Sequence, residues 1–305
     1  MNRLFSINFS RSLIRCSGKN NDASQFLQGM ITNDMQLLSS EIGYKKCIYT
    51  LFLNKLGRIL YDSIIYKFPS TSKEEELFLI ECDKNVANNL IRHLKLYRVR
   101  RKIDIILSDE HDLYCFHSQN SNDLKLSNGS KYFLDPRLKD IGARIITNKN
   151  HNLKDDIGCD VVEGSNEEYI SHRYKLGICE GIVDLPPEKA FPLESNCDYM
   201  NGVSFHKGCY LGQELTARTH HTGVIRKRIM PLIFEMPIKM NDSIDVNNED
   251  KKSVGKLRNI SEIYGLGLMR VEQALAAKEL SYNENKCMIK KPFWWPDDSN
   301  QNSSN

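Results

Sequence analysis

Short alternating runs of apolar and polar residues dominate the first part of the chain, broken by two stretches of helical spacing. Residues 12–16 (SLIRC) read as a strand running into Gly18, and Asp22 with Gln25 predicts a capping box for a helix carrying Phe26 and Leu27. Residues 43–53 and 58–68 predict a hairpin closed by Asn54-Lys55-Leu56-Gly57, where glycine can take a positive φ. Residues 70–76 are polar and predict a loop, and 77–82 a strand. Asp83 then caps a helix in which Val86, Leu90, Ile91 and Leu94 recur at helical intervals. Strands follow over 103–107 and 113–117, and the Asn- and Lys-rich stretches 118–131 and 147–156 predict loops. Ser165 and Glu168 form a second capping box, for a helix through Tyr174 that ends near Gly177. Pro186 and Pro187 predict extended chain over 184–191, because proline biases its predecessor out of the helical region.

From Ile229 onward the pattern changes to short strands, at 229–235, 254–258, 264–269 and 288–290, separated by polar loops such as 241–252. An all-β module of this size suits a small barrel. The tail after Pro296 is polar and predicts disorder. The sequence contains no internal repeat.

Composition narrows the class. The chain has 305 residues, 40% hydrophobic and 27% charged, enough for two domains and a sizeable core. No apolar run approaches the roughly 18 residues that span a bilayer, so no membrane segment is expected. A net charge of +3 does not by itself imply nucleic-acid binding. Nine scattered cysteines, with no CxxC pair, suggest neither a disulfide framework nor a structural zinc site and point to a reducing compartment. The first 21 residues hold Arg3, Arg11, Arg15 and Lys19 with no acid before Asp22, which suits a matrix-targeting presequence. The competing strand–helix pattern is stronger, so the N-terminus is expected to serve mainly as structure, with any targeting segment very short or missing. Lys95, Arg98, Arg100, Arg101 and Lys102 gather at a predicted helix end. They read either as a solvated C-terminus or as a dock for an acidic partner.

Chemistry concentrates in residues 206–228, HKGCYLGQELTARTHHTGVIRKR. Cys209 follows Lys207 and Gly208 and precedes Tyr210, with Gly212 three residues on. An ammonium group nearby lowers a thiol's pKa, and the thiolate is both nucleophile and metal ligand. Most free cysteines are small buried hydrophobes; exposure of Cys209 decides between the two. Gln213 and Glu214 are expected to brace the loop through backbone amides. His206, His220 and His221 could supplement sulfur as ligands, although adjacent side chains seldom converge on one ion. Arg218, Arg226, Lys227 and Arg228 predict a basic strip for partner or anion contact, without the interleaved aromatics that nucleic acid would ask for.

HKGCYLGQE resembles the KGCYxGQE signature of the YgfZ-type, folate-binding relatives of the glycine-cleavage T-protein (GcvT). The longer run GCYLGQELTARTHHTGVIRKR is similar to the eukaryotic branch, mitochondrial iron–sulfur cluster assembly factors that act with A-type carriers. FLQGMITND (26–34), FLNKLGRILYD (52–62), ECDKNVANNLIRHLKLYRVRRK (81–102), HRYKLGICEGIVDLPP (172–187), FPLESN (191–196) and FWWP (293–296) extend the resemblance over nearly the whole chain. It implies an α+β, T-protein-like fold with a central cavity. Two intertwined α/β subdomains would occupy 1–227, a small β-barrel 228–296 and a disordered tail 297–305. It also implies an assembly factor of the mitochondrial matrix, monomeric alone, whose Cys209 shares an iron–sulfur cluster transiently with an A-type carrier. A cluster commonly needs four thiolates, and one well-placed cysteine leaves the others to a second molecule. Glu194 matches the T-protein glutamate that bonds the pterin, which leaves tetrahydrofolate binding open, with Asp62 as a second candidate. The T-protein's Asp-Asp pair is here Tyr61-Asp62, which counts against the alternative, a tetrahydrofolate-dependent aminomethyl transferase.

Overall fold

In the computed structural model, which describes residues 2–39, 45–70, 72, 74–118, 126, 130–149, 151–241 and 243–297, the chain begins by crossing between two sheets. β1 (Arg3–Ser6) enters one, and β2 (Arg11–Lys19) enters the other. After α1 (Asp22–Gln28) come β3 (Cys47–Leu53), β4 (Ile59–Phe68), β5 (Glu75–Asp83), α2 (Ala87–Arg98) and β6 (Ile103–Ser108). These complete a sheet ordered β3-β4-β5-β2-β6. The chain then returns to the first sheet through β7 (His111–His117), β8 (Lys131–Leu134), β9 (Ala143–Asn148), α3 (Leu153–Asp156) and β10 (Val162–Glu163), ordered β10-β1-β7-β9-β8. The sheet β3-β4-β5-β2-β6 is thereby inserted between β1 and the remaining strands of the other sheet, which intertwines the two α/β units.

Period-2 alternation explains how the sheet β3-β4-β5-β2-β6 serves two cores. On β3, Cys47, Tyr49, Leu51 and Leu53 face the core shared with the other sheet, whereas Ile48 and Phe52 face the layer under α1 and α2. Leu13 and Ile14 divide in the same way on β2. A strand buried on both faces reads as a near-continuous apolar run, as CIYTLFL does with Thr50 its one break.

α4 (Asn166–Leu176), α5 (Gly181–Asp184) and α6 (Gln213–Thr222) lead into a closed barrel. Its members are β11 (Lys227–Phe234), β12 (Asp245–Asn248), β13 (Ser253–Ser261), β14 (Tyr264–Arg270), β15 (Leu280–Tyr282) and β16 (Asn285–Ile289), with α7 (Val271–Ala276) between β14 and β15. Trp294 ties the barrel to α4 by donating its indole N–H to the Leu176 carbonyl at 2.8 Å.

Between the two sheets and the α4–α5 segment lies a buried ionic seam. Arg11 donates to Glu81 at 2.9 Å and pairs with Asp62 at 3.2 Å, and Tyr66 donates to the other Glu81 oxygen at 2.5 Å. Arg144 reaches Glu180 at 2.6 Å, Arg137 reaches Asp135 at 2.8 Å, and Arg173 reaches Asp184 at 2.9 Å. Tyr174 donates to Asp184 at 2.5 Å and accepts from Asn259 of β13 at 2.7 Å. Burial alone would raise the Glu180 carboxyl, but Arg144, Arg173, Arg137 and Arg11 outweigh it and hold it well below its usual range. Asp184 is pushed up by burial in spite of Arg173.

Several expectations change. The cap before α1 is Asn21 in the left-handed region, with no side-chain hydrogen bond, so Asp22 and Gln25 form no capping box. Asp83 caps a 3-10 turn (Lys84–Val86) that precedes α2. The capping box of Ser165 and Glu168 is present, and α4 ends on Gly177 at φ 77°. Residues 184–191 are not extended: α5 ends at Asp184, turns follow, and Glu188 takes φ 63°. Part of the predicted loop 147–156 belongs to β9 and α3, and β8 begins at Lys131. Within the barrel, β12 and β15 fall in stretches read as loop. Residues 43 and 44, most of 118–131 and the tail 298–305 lie outside the described residues.

Candidate functional site

Residues 201–211 are sewn onto the segment after α1, so two motifs far apart in sequence form one structure. Thr32 donates its hydroxyl to the Gly202 carbonyl at 2.7 Å, and Asn33 donates to the Asn201 carbonyl at 2.7 Å. Ser204 N–H bonds the Thr32 carbonyl at 3.0 Å, and Leu211 N–H the Gly29 carbonyl at 3.0 Å. Between these stitches, Lys207 turns inward. Its ammonium donates to the carbonyls of Gln28, Ile31 and Asn33 at 2.7, 2.8 and 2.7 Å and lies 5.0 Å from the Tyr210 ring centroid. Burial pulls the Lys207 pKa down to about 7, while each ammonium proton has its own carbonyl acceptor, which favours the charged form. The expected partnership between this ammonium and the Cys209 sulfur is therefore replaced: Lys207 anchors the loop's backbone.

Next along the chain, Tyr210 enters the core between the sheets and Leu211 packs against the core under the helices. Burial pushes the Tyr210 phenol up to about 12. With Lys207 and Tyr210 both directed inward, Gly208 and Cys209 are left on the surface. Cys209 is exposed, whereas Cys159 is half-buried and the other seven cysteines are buried. Gly212 opens α6 at φ 79°, where a Cβ would stand 2.2 Å from the Asn54 carbonyl oxygen. Opposite it, Gly57 in the β3–β4 turn has φ 75° and no room beside Leu215. A Cβ on Gly208, by contrast, would meet nothing within 4 Å.

Gln213 braces the loop as expected, its side-chain oxygen accepting from Tyr210 N–H at 3.1 Å. Glu214 is exposed on α6. His220 stacks flat on Phe205, 3.5 Å between centroids, with His221 edge-on at 5.2 Å. Burial, then His221, lowers the His220 pKa. Among the described residues no group of three or more His, Cys, Asp or Glu is placed to hold a metal ion, so the histidines and Cys209 do not converge.

The basic strip separates. Arg218 and Arg226 are exposed and Lys227 is half-buried. Arg228 is buried, clamped to Asp198 by two bonds of 2.9 Å, donating to Leu193 O at 2.8 Å, and lying 3.9 Å from the Tyr199 ring centroid. It is a structural residue, which a run of three cations in sequence does not reveal.

Glu194 lines a cavity of about 520 Å³ between α6, the Phe191–Leu193 stretch and Val224–Lys227. Phe191, Leu193, Leu215 and Ile225 give it apolar walls, and Thr216, Thr219 and Thr222 add hydroxyls. Half-burial raises the Glu194 carboxyl's pKa, opposed by Lys227, Arg258 and Arg58. Asp62 does not join it: it is buried in the ionic seam, accepting from Arg11 and from Gly181 N–H at 3.1 Å. The seam itself escaped sequence reading, because its arginines and carboxylates are scattered from Arg11 to Asp184; only the occurrence of Arg11, Asp62, Glu81 and Arg144 inside apolar strands hinted at burial.

With this geometry, similarity can be weighed. The chain is 36% identical over 308 residues to the mitochondrial iron–sulfur cluster assembly factor IBA57 of Mus musculus, covering 94% of this chain and 84% of that one. It is 38% identical to the factor of the same name from Homo sapiens, covering 94% and 83%. The chain belongs to the IBA57 family of iron–sulfur cluster assembly factors. Residues 226–297 match the family model described as CAF17, C-terminal beta-barrel domain, in agreement with the barrel that starts at Lys227. The glycine cleavage system aminomethyltransferase T of Bartonella henselae superposes with a TM-score of 0.71 over 94% of this chain and 84% of that one, at 15% identity. That likeness establishes a T-protein-like fold. In this IBA57 family member the stapled loop leaves Cys209 exposed and the cavity beside α6 holds Glu194.

Proposed function

We propose that this protein acts in mitochondrial iron–sulfur cluster assembly, in the matrix, by lending the Cys209 thiolate to a two-iron cluster whose other ligands belong to an A-type carrier. One observation carries the reading: the sequence spends Lys207, Tyr210 and Gly212 on fixing the loop and leaves the sulfur between them facing solvent. A cluster asks for several thiolates, and a single exposed donor serves it only together with a second molecule. The cluster is cargo here, and the contact lasts only while it is shared. Anaerobic titration of a cluster-loaded A-type carrier tests this. The intact protein changes the sulfur-to-iron charge-transfer bands, whereas Cys209→Ser leaves the carrier's spectrum unaltered. The same spectral change with Cys209→Ser as with the intact protein would sink the proposal.

The Glu194 cavity supports a second, compatible reading, that reduced folate binds there. A carboxylate accepts the paired donors of a pterin edge, and an apolar wall suits the ring. Aminomethyl transfer gains little support, since Tyr61 stands where a second carboxylate would be and Asp62 is committed to Arg11. Calorimetry decides: no heat with millimolar tetrahydrofolate, or equal heat with Glu194→Gln, retires the folate site.

A further inference from the structure

A second cavity, of about 590 Å³, opens where the ends of β3 and β4 meet β8, at the seam of the two sheets. Lys45, Lys46, Lys67 and Lys131 all line it, and no Asp or Glu is among its described lining residues. This is a local concentration of charge in a chain whose net charge is only +3. Lys46 and Lys67 stand directly opposite each other, one step beyond the Cys47–Tyr66 pair, with Lys67 N–H donating to the Lys46 carbonyl at 3.1 Å. Like charges in that relation destabilise a sheet. Lys131 lies 5.3 Å from the centroid of the Phe68 ring. Among the described residues, none of Lys46, Lys67 and Lys131 forms an ion pair with a carboxylate.

Repulsion between Lys46 and Lys67, neither of them ion-paired among the described residues, is relieved when an anion enters. A cleft lined by one sign of charge also raises the local concentration of its counter-ion. Lysine ammonium groups suit phosphate as point charges, and the volume is that of a small-molecule site. We propose that this cavity binds polyphosphate, the group shared by inorganic pyrophosphate and nucleoside phosphates. The site is separate from Cys209 and from the Glu194 cavity.

Calorimetry and thermal unfolding of the full-length protein at low salt, with pyrophosphate and with ATP as probes, test the proposal. Pyrophosphate binds and raises the unfolding temperature. Lys46→Gln and Lys67→Gln each weaken binding by about tenfold, the size of a charge-assisted contact. The same variants unfold at a higher temperature than the parent when no anion is present, because the opposed charges are gone. ATP binding more tightly than pyrophosphate identifies a nucleotide as the ligand class, and equal affinity identifies the bare phosphates. Absence of binding at millimolar probe overturns the proposal. So does unchanged binding by both variants, or an equal loss in Lys252→Gln, whose exposed ammonium faces Asp250 far along the barrel.

Discussion

The ionic seam and the Cys209 loop are both built from polar residues, and they treat them in opposite ways. Inside the seam every arginine meets a carboxylate: Arg11 meets Asp62 and Glu81, Arg137 meets Asp135, Arg144 meets Glu180, and Arg173 meets Asp184. At the loop, the polar groups that can be satisfied internally are satisfied, by Lys207 on three carbonyls and Gln213 on Tyr210 N–H. The Cys209 sulfur and the open space over Gly208 are then left over. The difference separates residues the fold consumes from residues it displays. Displayed residues are where a second molecule can act.

Breaking the seam produces the largest effect. Arg144→Met leaves Glu180 buried beside a missing partner, and loss of about 3–5 kcal/mol is expected in urea unfolding. Acid weakens the same region. A carboxyl held below its ordinary value takes up its proton in the unfolded chain first, so the stability Glu180 supplies is present above pH 4.5 and is lost as pH falls below it. Asp135, lowered by Arg137 and Arg144 against its burial, acts in the same sense; Asp184, raised by burial, acts in the opposite one. Unfolding free energy measured against pH falls below that point, and Glu180→Gln makes the slope shallower.

Smaller effects sharpen the contrast at the loop. Gly212→Ala puts a Cβ against the Asn54 oxygen at positive φ and costs about 1–3 kcal/mol. Gly208→Ala, with open space around it, stays within about 0.5 kcal/mol. Equal costs at the two glycines would dissolve the distinction between a consumed and a displayed position. Smallest in stability is the labelling experiment: iodoacetamide under native conditions modifies Cys209 first and Cys159 more slowly, read by peptide mass. Prior modification of a buried cysteine such as Cys197 would contradict the assigned exposure.

Much of this was legible in the chain itself. The β3–β4 turn at Asn54–Gly57, the capping box at Ser165 and Glu168, and the T-protein-like fold follow from local chemistry and a specific motif. Strands β8 and β9 were hidden among Asn- and Lys-rich neighbours, and β12, with its sequence DVNN, carries too few apolar residues to alternate. Tertiary pairing makes these strands, and no local pattern announces it. The same limit applies at the site. HKGCYLGQE pointed to Cys209, but its spacing suggested that Lys207 acts on the sulfur, when three carbonyls near the end of α1 claim it. Arg226, Lys227 and Arg228 read as one strip until Asp198 and Tyr199 are seen to take the last.

Native mass spectrometry under anaerobic conditions, on a mixture with a cluster-loaded A-type carrier, addresses the displayed sulfur most directly. The intact chain is predicted to give a heterocomplex whose mass includes two irons and two sulfides, and Cys209→Ser to give only the separate proteins. A complex of the same mass and abundance from the serine variant would contradict the account.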